Sequence, residues 1–184
     1  MIIERIREAT ADSHKQLEEK LFPFINNINS NKDYGKLLNA FYGYIFPVQE
    51  MIAAHIDRTI VPDMEQRRNA ARITEDLFSI SVEPHHQFAT DLPLINDHAS
   101  ALGALYVLEG STLGGKIISK TISERLGKNE GLSFFRGYGA ETGSMWKKFT
   151  QYLEHDQHIE ECEIITRSAV KTFTLFGTWF DKSL

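Results

Sequence analysis

Apolar residues recur along this chain at intervals of three and four, the repeat that gathers them on one side of an α-helix. In residues 2–21 the stripe runs Ile3, Arg7, Thr10, His14, Leu17 and Leu21, with Ile2, Ile6, Ala9 and Ser13 beside it. Glu4, Asp12, Lys15 and Glu19 fall mostly elsewhere, so the spacing predicts a helix whose interior-facing stripe includes His14. Pro23 and the polar run 26–32 then break the chain, with Ser30 or Asn31 as cap of the next helix. Residues 33–60 form an aromatic-rich helical segment carrying Tyr34, Phe41, Tyr42, Tyr44 and Phe46. Pro47 is expected to kink or split it, because proline lacks the amide donor and crowds the preceding turn. A short charged helix is predicted over 63–78, with Met64, Ala71 and Leu77 on its apolar side, and 79–93 reads as loop.

The next helix, capped by Asn96 or Asp97 and ending near Gly127, carries the least ordinary stretch, residues 101–121. Gly110, Gly114 and Gly115 sit in its middle, where each glycine costs about 0.8–1 kcal/mol relative to alanine. Gly110 and Gly114 are four apart and share one face, which therefore presents bare backbone. Such a strip lets a flat ligand lie against the helix, or lets another helix cross closely, and it permits a bend. The residues alone leave these readings open. Residues 131–143 are glycine-dense and read as a connection. Helices over 144–155 and 158–180 follow, the last burying Ile164, Ile165, Ala169, Phe173, Phe176 and Phe180. No alternating β-branched runs with hairpin turns occur, so the fold class is all-α: a single domain over 1–184 with about six to eight helices.

Composition narrows the function classes. The chain has 184 residues, 42% hydrophobic and 24% charged, with a net charge of −5. That charge argues against nucleic acid or an anionic membrane as partner; no Lys/Arg run exceeds the pairs Arg67–Arg68 and Lys147–Lys148. Cys162 is the one cysteine, which excludes an internal disulfide and a thiolate cluster and suits a reducing, cytoplasmic setting. Glu4, Arg5, Arg7 and Glu8 interrupt any signal-like apolar run, and no uncharged stretch is long enough to span a membrane.

His14 is the leading candidate for chemistry. Glu18 follows one turn later, where a carboxylate can accept the second imidazole N–H, and Arg7 precedes it by two turns on the same face. One histidine cannot hold an isolated zinc ion, but it can hold a haem iron, whose equatorial ligands come from the macrocycle. Residues 154–162 (EHDQHIEEC) contain metal-ligand residue types, yet their spacing fits no strong pattern and they read as a solvated acidic turn. His85 and His86 read as loop residues, and Cys162 as structural. Glu83 and His86 make a single Glu-x-x-His in a loop, whereas a bundle di-iron site needs two such pairs. Serine-nucleophile, phosphate-loop and dinucleotide patterns are absent.

Together, residues 7–18 (REATADSHKQLE) and 102–115 (LGALYVLEGSTLGG) resemble the proximal and distal helices of the haem oxygenase family in its bacterial, biliverdin-producing form. Trp146, Phe149, Leu153, Phe173 and Trp179 fit the same pattern more loosely. The resemblance implies haem as both prosthetic group and substrate, with His14 as axial iron ligand and Glu18 as its partner. It implies that Gly110, Ser111 and Gly114 form the catalytic distal side, Gly110 and Gly114 letting backbone approach the haem. Arg7, with Lys147 or Lys148, would meet the propionates. Many family members carry an aspartate where this chain has Ser111, which puts the proton-delivery route in question. The implied reaction consumes O2 and electrons from an external donor, such as a ferredoxin or flavoprotein reductase. It releases iron and carbon monoxide and yields biliverdin for a bilin acceptor. A haem carrier or sensor of the same fold, or a relative holding another ligand or two irons, is the alternative.

Overall fold

In a computed structural model, the structure describes residues 1–155 and 158–184, which contain seven α-helices and no strand. Helix α1 spans Ile2–Asn27, passing through Pro23 rather than ending near 21. The hydrogen bond that Pro23 cannot make would have gone to the carbonyl of Glu19, an exposed residue whose carbonyl water can satisfy. Buried Ile25 and Ile28, and Phe24 edge-on to Phe180, hold the extra turn in place. At the other end the Glu154 carboxylate accepts the amides of Ile2 and Ile3 at 3.0 and 2.9 Å, supplying the cap that Met1 cannot.

Helix α2 (Asn31–Ala53) is capped by Ser30, whose hydroxyl accepts the Asp33 amide at 3.1 Å. It stops short of residue 60, and Pro47 does not split it. The carbonyl that Pro47 orphans, that of Gly43, instead accepts the amide of Ala89 at 2.9 Å. The long loop before α4 thus repairs a defect that local sequence reading counts as a break.

Residues 63–78 are not the one continuous helix that the sequence led us to expect. A 3₁₀ turn at Met64–Gln66 and helix α3 (Ala71–Ser79) flank Arg67 and Arg68, whose side chains turn inward. Helix α4 (His98–Leu126) starts at Asp97, whose carboxylate accepts the Ser100 amide at 2.7 Å, and ends at Gly127, where φ is 62°. Its first three turns, residues 99–109, are buried on every side. The predicted connection contains α5 (Ser133–Arg136) and a 3₁₀ turn at Gly139–Glu141. Helix α6 covers Thr142–Leu153, and α7 covers Cys162–Ser183 rather than starting at 158. Of the acidic stretch 154–162, residues 156 and 157 lie outside the described residues.

One hydrophobic cluster joins the helices, with Ile6, Leu37, Tyr44, Leu102, Phe149 and Ile165 among its fully buried members. Buried hydroxyls are paired, as Tyr44 shows by donating to the Thr172 carbonyl at 2.7 Å. No helix among the described residues is long and apolar enough to cross a membrane.

The α4 glycines divide between the two sequence readings. A Cβ on Gly103 would lie 2.2 Å from the Ile165 carbonyl oxygen, and one on Gly115 would lie 2.1 Å from that of Phe135. These are close crossings, against α7 and α5. A Cβ on Gly110 would meet only the Trp146 ring at 3.6 Å, and one on Gly114 would meet nothing within 4 Å. The expected consequence is a split response in thermal denaturation. Gly103→Ala destabilises by about 1–3 kcal/mol through overpacking, while Gly114→Ala stabilises by up to about 1 kcal/mol through helix propensity. Equal responses from the two variants would contradict the division.

Candidate functional site

The open space at Gly114 belongs to a cavity of about 560 Å³ between α1 and the middle of α4. That size is within the range of small-molecule and cofactor sites. Phe173 and Phe176 of α7, Phe41 and Ile45 of α2, and Phe135 and Trp146 supply apolar walls. Arg7, Thr10, His14, Lys15 and Glu18 come from α1, and Gly110, Ser111 and Gly114 come from α4. Two patterns far apart in the chain, one on α1 and one on α4, therefore face one enclosure.

His14 is not buried, as its place in the stripe led us to expect: its side chain is 55% exposed. The stripe at this level faces the cavity instead of closed core. The imidazole packs on the Phe173 ring at 5.1 Å between centroids, and its Nε2 lies 3.4 Å from Glu18 Oε1. His14 is the one histidine among the lining residues. Lys147 and Lys148 are exposed and do not line the cavity. Their neighbour Trp146 does, packed against Tyr106 and Phe149. The lining cations are Arg7, Lys15 and Arg68.

Arg68 was not singled out by the sequence. Its Nη2 donates to Ser111 Oγ at 2.5 Å and to the Leu108 carbonyl at 2.8 Å, and Nη1 donates to the Phe134 carbonyl at 3.2 Å. The guanidinium also lies over the Phe134 ring, 4.1 Å from its centroid. Ser111 in turn donates its hydroxyl to the Leu108 carbonyl at 2.7 Å. Burial pushes the Arg68 pKa down to about 10, against the pull of Glu109 and Tyr138, so the group remains a cation at neutral pH.

Beneath it lies a second buried ion cluster. Arg67 grips Asp63 through Nε and Nη2, both at 2.9 Å, and donates from Nη1 to Glu109 at 2.7 Å and to the Met145 carbonyl at 2.9 Å. The Tyr138 hydroxyl donates to Glu109 at 2.9 Å and accepts the Arg68 amide at 2.7 Å. Burial opposes the Arg67 charge, but Glu109 and Asp63 outweigh it and raise the Arg67 pKa. Burial and Glu109 together push the Tyr138 phenol upward, keeping it a donor. Two arginines and two carboxylates thus balance in charge behind the Ser111 wall. The sequence carried one signal of this, a carboxylate at 109 inside an otherwise apolar run.

A chamber with one histidine–glutamate pair, an aromatic and aliphatic lining, and a bare helix face opposite suits a flat ligand with a single axial bond. The space at Gly114 is one that a Cβ would occupy. The family described as heme oxygenase matches residues 1–182. The chain belongs to the heme oxygenase family. It is accordingly a haem-binding, haem-degrading oxidoreductase, as residues 7–18 and 102–115 implied. Among solved structures, the heme oxygenase from Neisseria meningitidis, described in NO- and CO-bound forms, superposes with a TM-score of 0.80 at 21% identity. That match covers 100% of this chain and 92% of the other. The heme oxygenase from Leptospira interrogans superposes at 0.76 and 19% identity, covering 98% of both chains. At these identities the likeness is one of fold, and it agrees with the all-α reading. No curated protein sequence matches the chain significantly.

Proposed function

We propose that this haem oxygenase binds its substrate in the cavity between α1 and α4, where His14 would hold the iron, and opens the macrocycle to biliverdin with release of iron and carbon monoxide. One observation carries the reading: His14 and the bare Gly110–Gly114 face line the same enclosure. Bound haem supplies the redox-active iron and is itself the ring that is opened. The protein binds, orients and screens. Glu18 Oε1, 3.4 Å from His14 Nε2, is placed to take an imidazole N–H, which would set the tautomer and make the other nitrogen a stronger ligand. Arg7, as expected, would meet the propionates, joined by Lys15 in the place expected of Lys147 or Lys148. Gly110 and Gly114 admit the ring edge close to backbone. Ser111 does not stand in for the aspartate of other members as an acid, because its hydroxyl is committed to Leu108. It holds the cationic Arg68 against the distal wall, where a fixed positive charge favours negative charge developing in the cavity.

O2 is the co-substrate. Electrons come from an external donor, a ferredoxin or flavoprotein reductase, since the sequence has no dinucleotide-binding pattern, and a bilin acceptor receives the product. A cytoplasmic setting suits the lone cysteine, and the match over 1–182 supports reading the whole chain, 1–184, as one catalytic domain. The test is an absorption time course of the haem-loaded protein in air with a supplied reductant. Loss of the Soret band with growth of a red-absorbing bilin band is the expected result. A Soret band that persists under those conditions would make the protein a haem carrier or sensor and overturn the proposal.

A further inference from the structure

We propose that His98, His158 and Glu161 form a second site, remote from the cavity lining, that binds a divalent cation of the zinc type. His98 is the first residue of α4, and His158 and Glu161 lie in the turn that leads into α7. Glu161 stands between the two imidazoles, with Oε1 2.8 Å from His98 Nε2 and Oε2 3.2 Å from His158 Nδ1. One ligand atom from each residue falls within 4.8 Å of the others. Zinc–nitrogen and zinc–oxygen bonds of about 2.0–2.1 Å in tetrahedral geometry place ligand atoms about 3.3–3.4 Å apart. Seating the ion would part His98 Nε2 and Glu161 Oε1 by about 0.5 Å and draw the other ligand pairs, now within 4.8 Å, together by up to about 1.5 Å.

The donor set selects the class of cation. Two imidazoles and one carboxylate favour zinc and its late first-row neighbours over magnesium or calcium, which prefer oxygen alone. Three protein ligands leave a fourth position for water. His158 is 1% exposed, so the site is not the solvated turn that the sequence suggested, while the His98 side chain is 42% exposed and gives the ion a way in. Helix N-termini repel cations, and two of them, those of α4 and α7, lie here. The Asp97 carboxylate offsets the first by capping α4. A bound ion would tie the start of α4, which carries the distal wall, to the start of α7, which carries Phe173 and Phe176. The same connection caps α1 through Glu154.

The competing reading is a carboxylate that only accepts hydrogen bonds from two histidines, and zinc titration of the full-length, haem-free protein separates the two. With a chromogenic chelator as competitor, one equivalent of zinc is expected to be withheld from the chelator, and saturating zinc is expected to raise Tm by a few degrees. His98→Ala, at a half-exposed position that leaves the core intact, is expected to weaken zinc binding at least tenfold, and Glu161→Gln to do likewise. Neither variant alters the Soret band formed on adding haem. His14→Ala serves as the control and leaves zinc binding unchanged. Failure to withhold zinc would overturn the proposal, as would binding that survives both His98→Ala and Glu161→Gln or is lost in His14→Ala. None of these outcomes depends on ring opening, so the two proposals can fail separately.

Discussion

Replacing His14 with alanine is expected to abolish bilin formation while leaving the fold intact. The two effects separate because of where the residue lies. Its side chain is 55% exposed to the cavity mouth, and its contacts are the Phe173 ring and the Glu18 carboxylate. Removing a side chain so placed changes stability by no more than about 0.5 kcal/mol. Its expected chemical role, in contrast, passes to no second histidine, cysteine or methionine, because the described lining residues include none. Loss of an outer-shell partner of a metal ligand costs about 10–100-fold in affinity or activity, and that is the effect expected of Glu18→Gln. His14→Ala removes the ligand itself and is expected to exceed that range, with a changed Soret maximum at the first spectrum. An unchanged Soret band and rate in His14→Ala would assign the iron to another residue.

The second large effect is expected at Glu109, which touches no ligand. This carboxylate is 2% exposed and accepts from Arg67 and Tyr138. Glu109→Ala strips Arg67 of one of its two acidic partners and leaves the Tyr138 hydroxyl without its acceptor, inside closed core. Breaking a buried pair from one side costs about 3–5 kcal/mol, which for a chain of this size lowers Tm by roughly 6–20 °C. The pair itself is a weak source of net stability, because desolvating two charges cancels most of their attraction. The triple variant Asp63→Leu/Arg67→Met/Glu109→Leu, which removes Arg67 together with both of its carboxylates and so leaves none of the three unpaired, is therefore expected to recover much of the loss in Glu109→Ala. A thermal melt of each variant checks both expectations. A drop of less than about 1 kcal/mol in Glu109→Ala would mean that the cluster is not holding the 63–70 segment against α4. Because Arg68 and Ser111 sit directly above the cluster, the same variant is expected to slow turnover in the fraction that remains folded.

Periodicity alone determined the helical class and the faces of the helices. The stripe from Ile3 to Leu21, the cap at Asp97 and the stop at Gly127 are local features, each set by residues within a turn or two; the cap and the stop stand, and the stripe buries Ile3, Thr10, Leu17 and Leu21 while Arg7 and His14 line the cavity. The His14–Glu18 pair and the Gly110–Gly114 face were legible for the same reason, since spacing of four on a helix is geometry that the chain carries with it. Which glycines serve packing and which leave open space was not legible. Gly103 and Gly115 are spoken for by carbonyls of Ile165 and Phe135, which helix spacing does not reveal. Pro47 reads as a break until Ala89 arrives to take the orphaned Gly43 carbonyl. Arg67 and Arg68 read only as a basic pair in a charged segment until Glu109 and Ser111, more than 40 positions away, meet them in the interior. His98 joins His158 and Glu161 only when α4 and α7 lie together. A polar or charged side chain states its need for a partner in the sequence, but the partner is supplied across the core, so only the tertiary structure decides whether that residue is solvated surface, buried support or part of a site.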